Sequence, residues 1–158
     1  MPVKSDHSSD LRLVMHKVQR SVLVPHSAAQ MFDLVADVEK YPEFMPWCGG
    51  TEVQSRDERG MQASVLISFA GMKQRFTTRN THDYPQRIDL ELVDGPFSSL
   101  VGHWVFQPLA EDACKVLFTL EYAFSNRALE MVVGPVFNRI AASFIESFTK
   151  RAQQVYGE

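Results

Sequence analysis

Apolar and polar positions alternate along most of this chain and switch to helical spacing only after the first alternating run and at the C-terminal end. Val18–Val24 is rich in β-branched residues and is stopped by Pro25, which predicts a strand. Ser27 stands where an N-cap belongs, ahead of a helix over Ala28–Ala36 whose Met31, Phe32, Leu34 and Val35 supply an apolar side. Asp37–Phe44 predicts a second short helix, turned by Pro42 and Pro46. Six strand-like runs follow: Gly50–Arg56, Met61–Ala70, Lys73–Tyr84, Arg87–Val93, Leu100–Pro108 and Cys114–Phe124. Their separators are short turn sequences such as Asp57–Gly60, Gly71, Tyr84–Gln86 and Asp94–Pro96, and short connectors demand antiparallel neighbours.

Ser125 and Asn126 then cap a long final helix beginning at Arg127. Pro135 cannot donate back to residue 131, so Gly134-Pro135 predicts a kink or restart, and Pro135–Tyr156 would run about 33 Å. Val133, Phe137, Ile140, Phe144, Phe148 and Val155 share one face of it, against Arg139, Glu146, Lys150 and Gln153 on the other. The weak point at Gly134 suggests that Leu129–Val133 is a movable lid.

The order of strand, two helices, six strands and helix predicts one α+β domain of helix-grip type. In such a fold a curved antiparallel sheet wraps around a long C-terminal helix and leaves a cavity between them. The dry sides of the strands carry unusually large residues, as in Val116, Phe118, Leu120, Tyr122 and Phe124. From the sheet we expect Val65, Ile67, Phe76, Leu90, Leu92, Trp104, Phe106, Phe118 and Tyr122 to line the cavity. From the helix we expect Val133, Phe137, Ile140 and Phe144 to do so. The same alternation also suits a plain filled core, so the cavity is an expectation of the architecture and not of any one residue.

Composition narrows the function. The chain has 158 residues with 45% hydrophobic and 22% charged residues, ordinary for a single folded domain. Its formal charge is −3, from 16 basic and 19 acidic residues, which argues against a nucleic-acid-coating protein, and no DNA partner is expected. Locally, Lys73, Arg75 and Arg79 share one strand face, a solvated surface or a set of candidate RNA contacts. Residues 1–14 are polar and aperiodic, predicting a loose tail, and Met15 is a second candidate start for translation. No signal peptide or membrane-length apolar run is present, so a cytoplasmic location with at most transient membrane contact is expected. Cys48 and Cys114 belong to no CxxC or Cys/His cluster and suggest free thiols. The five histidines have no metal-ligand spacing, and no GxSxG, HExxH, GxGxxG or Walker-type motif occurs. No catalytic residue, metal or cofactor is therefore assigned, and a binding protein is expected rather than an enzyme.

The segment Asp37–Cys48, DVEKYPEFMPWC, resembles a signature of the coenzyme Q-binding START-domain family. Its bacterial branch is the RatA, or ribosome-association toxin, family, within the polyketide cyclase/dehydrase and lipid transport superfamily. Further similar stretches are Phe76–Asn80, Leu92–Phe97 with Leu100, Gly102, Trp104 and Phe106, then Cys114–Val116 and Arg151–Tyr156. The likeness spans about Lys17 to Tyr156 and implies a helix-grip fold with a hydrophobic tunnel. It implies ubiquinone or a related isoprenoid lipid as bound ligand, supporting respiration or quinone biosynthesis. Alternatively it implies a toxin that binds the large ribosomal subunit and blocks subunit joining, or, third, a polyketide cyclase-like enzyme. The motif residues Tyr41, Trp47 and Phe97 would form the portal. The family carries no established catalytic residues onto this chain.

Overall fold

The computed structural model describes residues 14–157. Seven antiparallel strands form one curved sheet: β1 His16–Val24, β2 Cys48–Asp57, β3 Gly60–Phe69, β4 Met72–Asp83, β5 Arg87–Asp94, β6 Phe97–Ala110 and β7 Ala113–Phe124. Their spatial order is β1-β7-β6-β5-β4-β3-β2. Strands β2 to β7 thus form a meander, and β1 closes it by pairing with β7 from His16↔Tyr122 to Val24↔Cys114. Between β1 and β2 lie α1 (Ala28–Ala36), a 3-10 turn (Val38–Lys40) and α2 (Tyr41–Phe44). After β7 come α3 (Arg127–Ala142) and α4 (Phe144–Tyr156). The expected helix-grip architecture is present, with every strand end within three residues of the one read from the alternation. The expected tail lies outside the described residues except for Val14.

Local chemistry explains the boundaries. Ser27 accepts from the Gln30 amide while the Gln30 side chain accepts from the Ser27 amide, a complete capping box. Asn126 caps α3 by accepting from the Leu129 amide at 2.8 Å. Gly60, at φ +151°, opens β3 where an added Cβ would sit 1.9 Å from the Asn80 carbonyl oxygen, so no other residue fits.

The final helix corrects the expectation drawn from Pro135. The helix runs unbroken from Arg127 to Ala142 with Pro135 inside it, and the break falls at Ser143, where the two segments bend by 43°. Pro135 is exposed and Met131 is 73% exposed, so the carbonyl that loses its helical donor can be hydrated on the solvent side. At Ser143 the backbone amide and the hydroxyl both bond back to Ile140, which ends the α-helical ladder. In the segment before Gly134, Val133 is fully buried against the core while Met131 and Val132 face solvent. Val155, expected on the buried face, is 49% exposed.

Among the described residues no single helix is long and apolar enough to cross a membrane. The α3–α4 pair passes that test only as a bent pair, and its apolar face is buried in the protein core. Cys48 and Cys114 are both buried and unpaired, and burial pushes both thiols up.

Candidate functional site

Helix α3 rests on β7 and β1 and α4 on β1 and α1, while α1 covers β6 and β7. Where helix meets sheet directly, side chains interdigitate and leave little space. The sheet curves away on the β3–β5 side, and there a cavity remains. Its wall is made by Ala63 and Val65 of β3, Phe76, Thr78, Asn80 and His82 of β4, and Ile88 and Leu90 of β5. Leu100 and Trp104 of β6 and Leu120 of β7 continue it. Val35, Ala36, Val38, Tyr41, Met45 and Trp47 close one side, and Phe137, Phe144 and Phe148 close the other. The empty space, mouth included, is about 750 Å³, of which about 70 Å³ is wide enough for the centre of a water molecule. Small-molecule sites hold about 300–1,000 Å³, and the second figure falls well below that range. The second means that the walls must spread around anything bulkier than a few waters.

Of the residues expected to line the cavity, Val65, Phe76, Leu90, Trp104, Phe137 and Phe144 do so. The others are corrected. Ile67, Phe106, Phe118, Tyr122, Val133 and Ile140 are buried in the core and do not reach the cavity. Phe118 instead supports its wall from beneath, with ring centroids 4.3 Å from Trp104 and 5.5 Å from Phe144. Tyr122 packs against Phe137 at 4.9 Å and donates its hydroxyl to Asn138, and burial pushes its pKa up to about 12. Leu92, beside the bulge that leaves Val93 unpaired, is half-buried and outside the lining.

The three portal residues also separate. Tyr41 and Trp47 line the cavity, but as wall. The Tyr41 hydroxyl donates to the Val35 carbonyl, its ring meets Phe148 at 5.4 Å, and burial raises its pKa far above the ordinary tyrosine value. Trp47 is 6% exposed and lies 5.7 Å from the Phe144 ring. Phe97 is buried in an aromatic cluster with Phe124 at 5.1 Å and Phe137 at 4.9 Å, behind the cavity wall and not in its lining. An ion pair of 2.8 Å between Arg151 and Glu43 ties α4 to α2 beside this wall, with the guanidinium 4.9 Å over Phe44.

Sequence reasoning missed the polar liners Thr78, Asn80 and His82. The signal was present: the alternation that turns Lys73, Arg75 and Arg79 outward turns 76, 78, 80 and 82 inward. No Asp, Glu, Lys or Arg lines the cavity. Its ring nitrogens Trp47 Nε1 and His82 Nε2 are buried with no hydrogen-bond partner among the described residues. Burial, reinforced by the charge of Arg56 and opposed by Asp57, lowers the pKa of His82 and favours neutral imidazole.

On the outer face Lys73, Arg75 and Arg79 are exposed as expected, yet two of them are engaged. Arg75 pairs with Glu52, and Arg79 donates to Gln62 at 3.0 Å. Among the described residues no group of three His, Cys, Asp or Glu side chains is placed to hold a metal ion.

The pattern of the family described as polyketide cyclase / dehydrase and lipid transport matches residues 24–149. The ribosome association toxin RatA of Vibrio cholerae is 49% identical over 144 residues, covering 91% of this chain and 100% of that one. The mitochondrial coenzyme Q-binding protein COQ10 of Drosophila melanogaster is 25% identical, covering 94% of this chain and 63% of that one. Among solved structures, the Zhui aromatase/cyclase of a Streptomyces species superposes with a TM-score of 0.76 at 16% identity, covering 89% and 95% of the two chains. That last likeness speaks to the fold alone.

Proposed function

The chain belongs to the polyketide cyclase/dehydrase and lipid transport family, and on that premise we propose that its cavity binds a neutral apolar lipid, with an isoprenoid quinone such as ubiquinone as the ligand. The observation that carries this reading is a cavity between sheet and helices whose wall is largely apolar and contains no charged side chain. A carboxylate or phosphate head would be buried there without a counter-charge, at a cost of several kcal/mol, roughly. A quinone ring needs only hydrogen-bond donors and apolar contact. The coenzyme Q-binding relative supports the same ligand class. The role is one of binding, in support of respiration or quinone biosynthesis, and no catalytic residue is assigned. Native mass spectrometry with lipid extraction, on protein purified from its own host, tests this. A retained quinone is the expected result; an empty protein, or one carrying only anionic lipid, would overturn it.

The relatives named ribosome association toxin support a second reading, association with the large ribosomal subunit through the outer face. It stands second because the exposed basic strip is small and belongs to a chain of net charge −3. Cosedimentation with purified large subunits at low salt tests it, and absence of the protein from the subunit fraction would remove it. A polyketide cyclase-like activity, the third reading, has only the shared fold behind it.

A further inference from the structure

Apart from the Tyr41 hydroxyl and the Trp47 indole, the polar groups of the cavity wall lie along one strand, where Thr78, Asn80 and His82 follow one another at every second position of β4. Alternate residues of a strand share a face and stand about 6.6 Å apart, so the three form a polar ladder about 13 Å long. Their neighbours across the register are apolar: Ala63 and Met61 on β3 face Thr78 and Asn80, and Leu90 and Ile88 on β5 face Asn80 and His82. Thr78 and Asn80 are each 8% exposed, and the Thr78 hydroxyl donates to Asn80 Oδ1 at 2.7 Å. That bond orients the carboxamide and leaves its Nδ2 as a donor. His82 Nε2 is buried without a partner among the described residues, while the imidazole is held edge-on by Phe32 at 5.3 Å. Buried polar atoms are nearly always satisfied, and one left open in a cavity wall marks where a ligand supplies the partner.

We propose that Thr78, Asn80 and His82 form a head-group subsite for a neutral ring bearing acceptor oxygens, and that this subsite sets the direction in which the lipid lies. The proposal deepens the lipid-binding reading and rests on it. Asn80 Nδ2 and His82 Nε2 donate to carbonyl or ether oxygens of the ring, one strand pleat apart. The tail runs along the wall of Phe76, Phe137 and Phe144. Trp47 Nε1, the other open donor, belongs to that tail end, against Phe144.

The test compares two probes, ubiquinone with a two-isoprene tail and the head-less isoprenoid hydrocarbon squalene. Protein-bound ligand is quantified by mass spectrometry after equilibrium partition. The variants are the double replacement T78V/N80L, which removes both members of a hydrogen bond at near-constant shape, together with H82F and W47F. Circular dichroism and thermal melts verify each fold. T78V/N80L and H82F are each expected to weaken ubiquinone binding about tenfold, the loss of one or two hydrogen bonds, and to leave squalene binding unchanged. W47F, which alters the tail end of the wall, is expected to change the binding of both probes by the same factor. Unchanged ubiquinone affinity in both folded β4 variants, or a loss confined to W47F, would overturn the head-group assignment while leaving lipid binding standing. A wild-type protein that binds neither probe would overturn both.

Discussion

At Gly102 an added methyl group would lie 2.8 Å from Leu120 Cδ1 and 3.2 Å from Leu90 Cδ1. Both leucines line the cavity, so the glycine lets them lean together across β6. Gly102→Ala should push them into the cavity, costing about 1–3 kcal/mol of stability and weakening ligand binding. A urea midpoint and a titration of tryptophan fluorescence check both effects, since both tryptophans, Trp47 and Trp104, line the site. His82 gives a pH signature. Its folded-state pKa lies below the ordinary 6.5, so between that value and the lower one the unfolded chain binds more protons, and stability falls as pH drops. Stability should therefore be complete above about pH 7 and decline below 6.5, and His82→Phe should flatten that decline in urea midpoints measured across the range. Glu43, held low by Arg151, contributes its loss in a more acidic window. The residue scale is also where reading from sequence stopped short. Phe106 and Phe118 are inward-facing and apolar, as are Phe76 and Trp104, and alternation cannot separate core from cavity wall. Only the position of the helices above them does, and that is a tertiary fact.

Elements were more legible than residues, because period-two alternation and turn residues act locally. The strands of the meander fall where alternation places them, and Ser27 and Asn126 cap the helices they precede. The exception is instructive. Proline chemistry locates a missing hydrogen bond, but whether a helix breaks there depends on whether the orphaned carbonyl reaches water. Met131 is exposed and α3 continues, while Ser143, with no signal as strong as proline, ends it. Pro135→Ala should restore one helical bond and remove an interior proline that costs about 3 kcal/mol. Greater freedom of the unfolded chain offsets about 0.4–1 kcal/mol of that gain. A rise of several degrees in Tm is expected, with amides 129–133 gaining protection in hydrogen exchange. An unchanged or lower Tm would mean that the proline fits α3 without strain.

For the whole molecule, the order of elements along the chain was enough to reach the architecture, since a meander with short connectors has few ways to close around a C-terminal helix. It could not place the cavity, which depends on where a curved sheet parts from the helices, nor the pairing of the outer charges. That pairing matters for the second reading of function. The strip of Lys73, Arg75 and Arg79 stands on a protein of net charge −3, and Glu52 occupies Arg75. An exposed pair of this kind is worth about 0–1 kcal/mol, too little to hold Arg75 against a competing phosphate. If the strip meets ribosomal RNA, removing its internal competitor should strengthen the contact, and reversing its charges should weaken it. Glu52→Gln is therefore expected to raise cosedimentation with large subunits, and Lys73→Glu with Arg75→Glu to lower it. Both differences should shrink as salt rises, because each phosphate contact carries a counterion-release dependence. Both variants lie on the outer face, away from the cavity lining, so quinone binding serves as an internal control and should match the wild type in each. Equal cosedimentation of all three proteins at low salt would assign ribosome contact to another face.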